Sequence, residues 1–230
     1  MCKGFYLQIE HNMIVPNMTE RETTEEIKKD IQGVVDYTTV AIDSKWRRDV
    51  IKAKQFPLYR KYTWKSRRGN RWTIIYEARS KKDIGDLTRM TMYVQGNFNT
   101  KYVFMPSWMD GKLMVLIYPA HFFSRFAERC GIDLPSDQLL YRFFKHNNSF
   151  VYDVKQTAVA ENEVVVEVHG STKEGVALGY YTAEGNILMK TFITYSMLKG
   201  EQIDTFTANE RIRQEIHDKG LDVNKTKIKL

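Results

Sequence analysis

Cysteine is almost missing from this chain: two in 230 residues, Cys2 and Cys130. That excludes a disulfide framework and a paired-cysteine metal knuckle. Cys130 lies in an apolar, helix-like stretch and reads as a core thiol rather than a nucleophile. Proline (5) and glycine (13) are too sparse for a collagen-like or linker-like composition. Long apolar runs are missing too. Runs such as Leu113 to Tyr118 and Val164 to Val166 fall far short of a bilayer span. The N-terminus, MCKGFYLQIEHNM, has Lys3, Glu10 and His11 around its short apolar run and Cys rather than Gly at position 2, so neither a signal peptide nor N-myristoylation is expected. There is no GxGxxG, GxxxxGK[ST] or GxSxG pattern, and His11, His146, His169 and His217 show no metal-site spacing with carboxylates or cysteines. These absences predict a cytoplasmic protein with no membrane contact, no metal and no cofactor.

What is present is a globular composition, 43% hydrophobic and 13% aromatic, at a length suited to one large domain or two small ones. The predicted class is α+β: N-terminal helices, an antiparallel β-meander, then a helix pair packed on a four-stranded antiparallel sheet. Residues 1–57 form the helical segment, with Thr19, Thr23 or Thr24 as N-cap. Gly33 and the β-branched cluster from Val34 to Val40 split or kink it, and Pro57 ends it. Residues 58–118 form the meander, with strands at Tyr62–Lys65, Trp72–Tyr76, Leu87–Val94, Thr100–Phe104 and Leu113–Tyr118, and turns at Gly69-Asn70, Gly96-Asn97 and Asp110-Gly111. Residues 119–200 hold the second unit. Its first helix is Pro119–Cys130, with Pro119 at the first helical position and Gly131 as C-cap, and its second runs from Pro135 or Ser136 to His146. Strands follow at Phe150–Val154, Glu163–His169, Val176–Tyr181 and Ile187–Tyr195. Residues 201–230 close the chain with a helix over Asn209–Lys219 and a basic tail from Asn224.

The charge is local. Between Lys45 and Lys82 fourteen basic residues meet only Asp49 and Glu77, a net of +12, so the rest of the chain is −5 within the total of +7. In this block Arg60, Lys61, Lys65, Arg67, Arg68 and Arg71 interleave with Trp64 and Trp72, a pattern that can neutralise phosphates and stack bases. The same residues also read as a solvated helix face followed by a hairpin whose aromatics point into the core.

A second feature lies on the Pro119–Cys130 helix. His121, Arg125 and Arg129 recur every four residues and share one ridge. Arginine forks grip phosphate, and an imidazole moves protons near neutral pH. Glu128 is equally placed to pair with Arg125. Further on, Lys190, Phe192 and Thr194 lie on one side of a strand, with Thr191, Ile193 and Tyr195 on the other. If this strand packs across the His121 helix, Lys190 or Thr194 completes a phosphate pocket, or else Thr191 and Tyr195 do.

The run His121-Phe122-Phe123-Ser124-Arg125-Phe126-Ala127-Glu128-Arg129, a second helix, and a meander ending in Lys190-Thr191-Phe192-Ile193-Thr194 together resemble the small RNase toxin group of barnase, EndoU, colicin E5 and RelE, over residues 118–198. The chain also resembles uncharacterised proteins of Bacteroidetes mobile elements. The toxin resemblance implies metal-independent RNA cleavage or RNA binding, with His121 as acid/base, Arg125 and Arg129 on phosphate, Lys190 or Thr194 assisting from the sheet, and an inhibitor or partner protein. The alternative from the basic segment is a non-catalytic nucleic-acid or partner-binding protein using residues 45–82. A third reading is a structural or regulatory protein that binds no nucleic acid.

Overall fold

A computed structural model describes residues 14–15, 17–85, 88–96, 102–109, 111–147, 151–160, 163–200, 204, 206–209 and 211–212. Cys2, the turn residue Asn97 and the tail from Asn224 lie outside them.

Helix α1 spans Glu20–Tyr37. Of the three candidate caps the chain uses Thr19. Its Oγ1 accepts from the Glu22 N–H (3.2 Å), and Glu22 Oε2 accepts from the Thr19 N–H (2.8 Å), a reciprocal capping box. Gly33 does not break the helix. It admits the Trp64 indole, whose Cη2 would lie 2.9 Å from a Cβ at this position. The predicted kink falls at the β-branched cluster, where Thr38–Ile42 widens into a π-turn before α2, Asp43–Lys52. Strands follow: β1 Leu58–Lys65, β2 Arg71–Ala78, β3 Arg89–Gly96, β4 Tyr102–Met109 and β5 Lys112–Tyr118. Helices α3, Ala120–Cys130, and α4, Ser136–His146, precede β6 Val151–Ala160, β7 Glu163–Ser171, β8 Gly175–Tyr181 and β9 Ile187–Thr194. Pro119 sits one residue before α3 in extended conformation, not at its first helical position, and Gly131 ends α3 at φ 63°. The last helix is already formed at Asp204, before the expected Asn209.

Both predicted meanders are present, but they do not form separate sheets. All nine strands belong to one sheet in the order β1-β2-β3-β4-β5-β9-β8-β7-β6. The joint is a parallel pairing of β5 with β9, Leu116 opposite Ile187 and Ile117 opposite Leu188, so the sheet is mixed. The physical reason lies in β5. Val115, Leu116, Ile117 and Tyr118 are all buried, which requires cover on both faces and a neighbour on each edge. A meander ending at Tyr118 would leave that strand at an open edge.

Helices cover both faces. Ile74, Tyr76, Met92, Val94, Val115 and Ile117 face Ile27, Val34, Trp46 and Val50 of α1 and α2. The alternate set, Ile75, Tyr93, Val103, Leu116 and Tyr118, faces Phe122, Phe123, Phe126, Phe143 and Phe144 of α3 and α4. Phe206 packs with Val176 and Leu198 as a third, smaller cluster.

One amide locks the two meanders together. Asn186, at the end of the β8–β9 turn, donates to Glu20 Oε1 (2.8 Å) and Thr24 Oγ1 (3.0 Å) and accepts from the Val115 N–H (3.0 Å). It thereby ties α1, β5 and the second meander at one buried point.

Candidate nucleic-acid interface

The basic segment folds into α2, β1, β2 and the β2–β3 loop. On α2, Trp46 and Val50 are buried, which turns Lys45, Arg48 and Lys52 outward beside Arg47. Trp46 Nε1 donates to Thr88 Oγ1 (3.0 Å), which seats the helix against the β2–β3 loop carrying exposed Lys81 and Lys82. Asp83 organises that loop: it accepts from the Arg79 N–H (2.8 Å) and from Ser80 Oγ (2.9 Å). Burial favours its neutral form, but the Arg79 amide, Ser80 and the Arg79 charge together hold its pKa below the ordinary value. An open groove between α2 and β1 is lined by Asp49, Lys52, Lys54, Gln55, Leu58 and Arg60.

Both acids of the segment are committed internally. Asp49 Oδ2 accepts from Arg60 Nε (2.9 Å). Glu77, at 6% exposure, accepts from the Tyr59 hydroxyl (3.2 Å). Burial, followed by the Glu77 charge, pushes the Tyr59 pKa well up. Among the described residues, Lys45, Arg47, Arg48, Lys52 and Lys54 enter no ion pair. The result is a cationic rim along the β1 edge, about 25 Å long for an eight-residue strand.

The predicted interface residues divide along this rim. Arg60 lies in the groove wall. Lys61 is over the Tyr141 ring of α4 (5.5 Å), on the opposite face, and Lys145 is over Tyr59 (4.6 Å). Lys65 and Arg71 are exposed partners across β1–β2, and Arg67 is exposed at the turn. Arg68 is withdrawn into structure: its Nε and Nη2 fork onto Glu26 Oε2 (2.6 Å) and Oε1 (2.9 Å). The aromatics are not on the surface as a stacking platform. Trp72 is fully buried and donates from Nε1 to Asp30 Oδ2 (3.0 Å). Trp64 stacks on Tyr37 at 5.6 Å. The core reading of the hairpin aromatics is the one the chain adopts. The exposed face of α2 lies within the segment 45–82, but its residues were not singled out, although Lys45, Arg48 and Lys52 at helical spacing against Trp46 and Val50 mark it.

The His121 ridge does not assemble with its expected partners. His121 is exposed. Arg125 Nη1 donates to Glu128 Oε2 on its own helix (3.0 Å). Arg129 reaches the sheet, donating from Nη1 to Thr191 Oγ1 (3.0 Å) and to the Phe192 carbonyl, and so pins α3 to β9. Lys190 is the extra residue of a β-bulge, because Leu178 pairs with Thr191 and Gly179 with Met189. Its ammonium lies 4.9 Å from the Tyr180 ring. Tyr180 pairs with Leu188, which packs in the α1/α2 core, so Lys190 projects from the face opposite α3. Thr194 Oγ1 bonds Ser196 Oγ (2.9 Å).

Among the described residues no cluster of His, Cys, Asp and Glu is arranged to hold a metal ion, and no helix is long and apolar enough to cross a membrane. No family model, no curated protein and no solved structure matches this chain.

Proposed function

We propose that the protein binds nucleic acid without cutting it, through the cationic rim formed by α2, the β1 edge and the β2–β3 loop. The observation that carries this reading is the exposed basic face of α2 and the turn after it: with Asp49 held by Arg60 and Glu77 by Tyr59, Lys45, Arg47, Arg48, Lys52 and Lys54 enter no ion pair among the described residues. A rim of about 25 Å runs beside some seven phosphates of one strand at ~3.4 Å each. With Trp64 and Trp72 turned inward, recognition is of the phosphate backbone and is sequence-independent. Charge sets affinity, and stacking contributes little.

The geometry weighs against cleavage at the His121 ridge. Arg129 is spent on β9, Arg125 is shared with Glu128, and Lys190 stands on the other side of the sheet. A general acid/base without convergent phosphate ligands has little transition state to stabilise.

The test is fluorescence anisotropy with labelled duplex and single-stranded oligonucleotides across a salt series. Changing Lys45, Arg48 and Lys52 together to alanine makes the negative slope of log K against log[salt] on duplex shallower by about 2 to 3. No binding at low salt, or an unchanged slope, overturns the proposal. RNA that is cut by wild type and spared by His121→Ala restores the cleavage reading.

A further inference from the structure

The two edges of the sheet differ. At one end β1 carries Arg60, Lys61 and Lys65, and a second β1 brought alongside would be repelled. At the other end β6 pairs, among the described residues, with β7 alone. β6 is ten residues long, VYDVKQTAVA, and contains no proline. Its only charges are Asp153 and Lys155, one of each sign, flanking Val154. Val154 is 47% exposed. Long, nearly uncharged edges of this kind invite pairing with another strand.

We propose that β6 is a homodimer interface, pairing antiparallel with β6 of a second copy about a two-fold axis through Val154. The charge pattern selects this occupant. When Val154 lies opposite its own copy, antiparallel register places Asp153 of each chain opposite Lys155 of the other. The interface is then isologous, with two opposite-charge cross-strand pairs and no like-charge contact. A register shift of two residues in either direction loses both pairs. Dimerisation joins the two sheets into a single eighteen-stranded one and leaves both β1 rims at its outer ends.

The test is sedimentation velocity of the full chain over a concentration series, with charge-swapped variants. Wild type sediments as a dimer at high concentration. Lys155→Asp sets acids against acids, Asp153→Lys sets bases against bases, and each is monomeric at the same concentration. The double variant Asp153→Lys/Lys155→Asp restores both pairs and the dimer. Far-UV circular dichroism checks that each variant is folded, and because residues 153 and 155 lie outside the core, loss of fold is not expected. A monomeric wild type overturns the proposal, as does a dimer that persists in both single variants. A double variant that stays monomeric does the same for the register. This outcome is independent of nucleic-acid binding, which is read from the opposite edge of the sheet.

Discussion

Replacing Asn186 by alanine tests how the two meanders are held as one sheet. The side chain is 2% exposed and makes three hydrogen bonds: two donated, to Glu20 and Thr24, and one accepted from the Val115 N–H. In the alanine variant the Val115 amide, on a fully buried residue, loses its partner, at a cost of about 1 to 3 kcal/mol. Loss of the donor to Glu20 adds roughly 1 kcal/mol, because Thr182 Oγ1 still serves that carboxylate. The expected loss is about 2 to 4 kcal/mol, a large part of the 5–15 kcal/mol typical of a domain. Urea unfolding reads it as a lower midpoint at unchanged m. Asn186→Asp sharpens the test. It keeps an acceptor for Val115, loses both donors, and sets a second carboxylate against Glu20. At neutral pH it is at least as damaging as alanine, and it recovers in acid, where one carboxyl is protonated. A loss below about 0.5 kcal/mol for alanine, the range of ordinary surface changes, would refute this account of the joint.

Three other expectations follow from the same geometry. Arg129→Ala lowers stability by about 1 to 3 kcal/mol through loss of its bonds to β9, while exposed His121→Ala leaves the midpoint within about 0.5 kcal/mol, and thermal melts of the pair separate a clamp from a surface residue. Gly175→Ala places a Cβ 2.1 Å from the Ile193 carbonyl oxygen, so it costs at least the ~1 to 3 kcal/mol typical of overpacking, and near-neutral behaviour in urea would contradict the close approach of β8 to β9. Burial raises the Glu174 pKa, but hydrogen bonds from Arg142 and Asn147 outweigh it and hold it below the ordinary 4.5. Stability from this group is therefore complete above pH 4.5 and is lost as pH falls through the depressed folded value. Glu174→Gln is expected to be less stable than wild type at pH 7 and to lose less on acidification.

The sequence patterns that survived are those in which one residue type has one physical outcome. Gly131 had to adopt φ > 0 to end α3, and the Phe122, Phe123, Phe126 face had to be buried. The hairpins were legible from turn residues and alternation. The joint of the meanders was not, because a parallel pairing of β5 with β9 is carried by two residue pairs separated by 71 positions, with no local signature. It was written indirectly in the double-sided apolar run of β5. At the sites, spacing placed His121, Arg125 and Arg129 on one helix but could not say what each would touch. The bulge at Lys190 then reversed the side that period-2 counting assigns from there onward. Trp64 and Trp72 were ambiguous for the same reason: alternation says which residues share a face, and only the docking of α1 says which face is buried.

The parallel joint also orders events in time. β5 is complete at Tyr118, but its partner begins at Ile187, and the Asn186 amide that Glu20 receives lies 166 residues away. During synthesis the first five strands and their helices therefore emerge with β5 as an open, apolar margin. It stays so until β9 leaves the ribosome. At 5–20 residues per second that interval is on the order of 4 to 15 seconds, during which the growing chain is open to chaperones and to wrong neighbours alike.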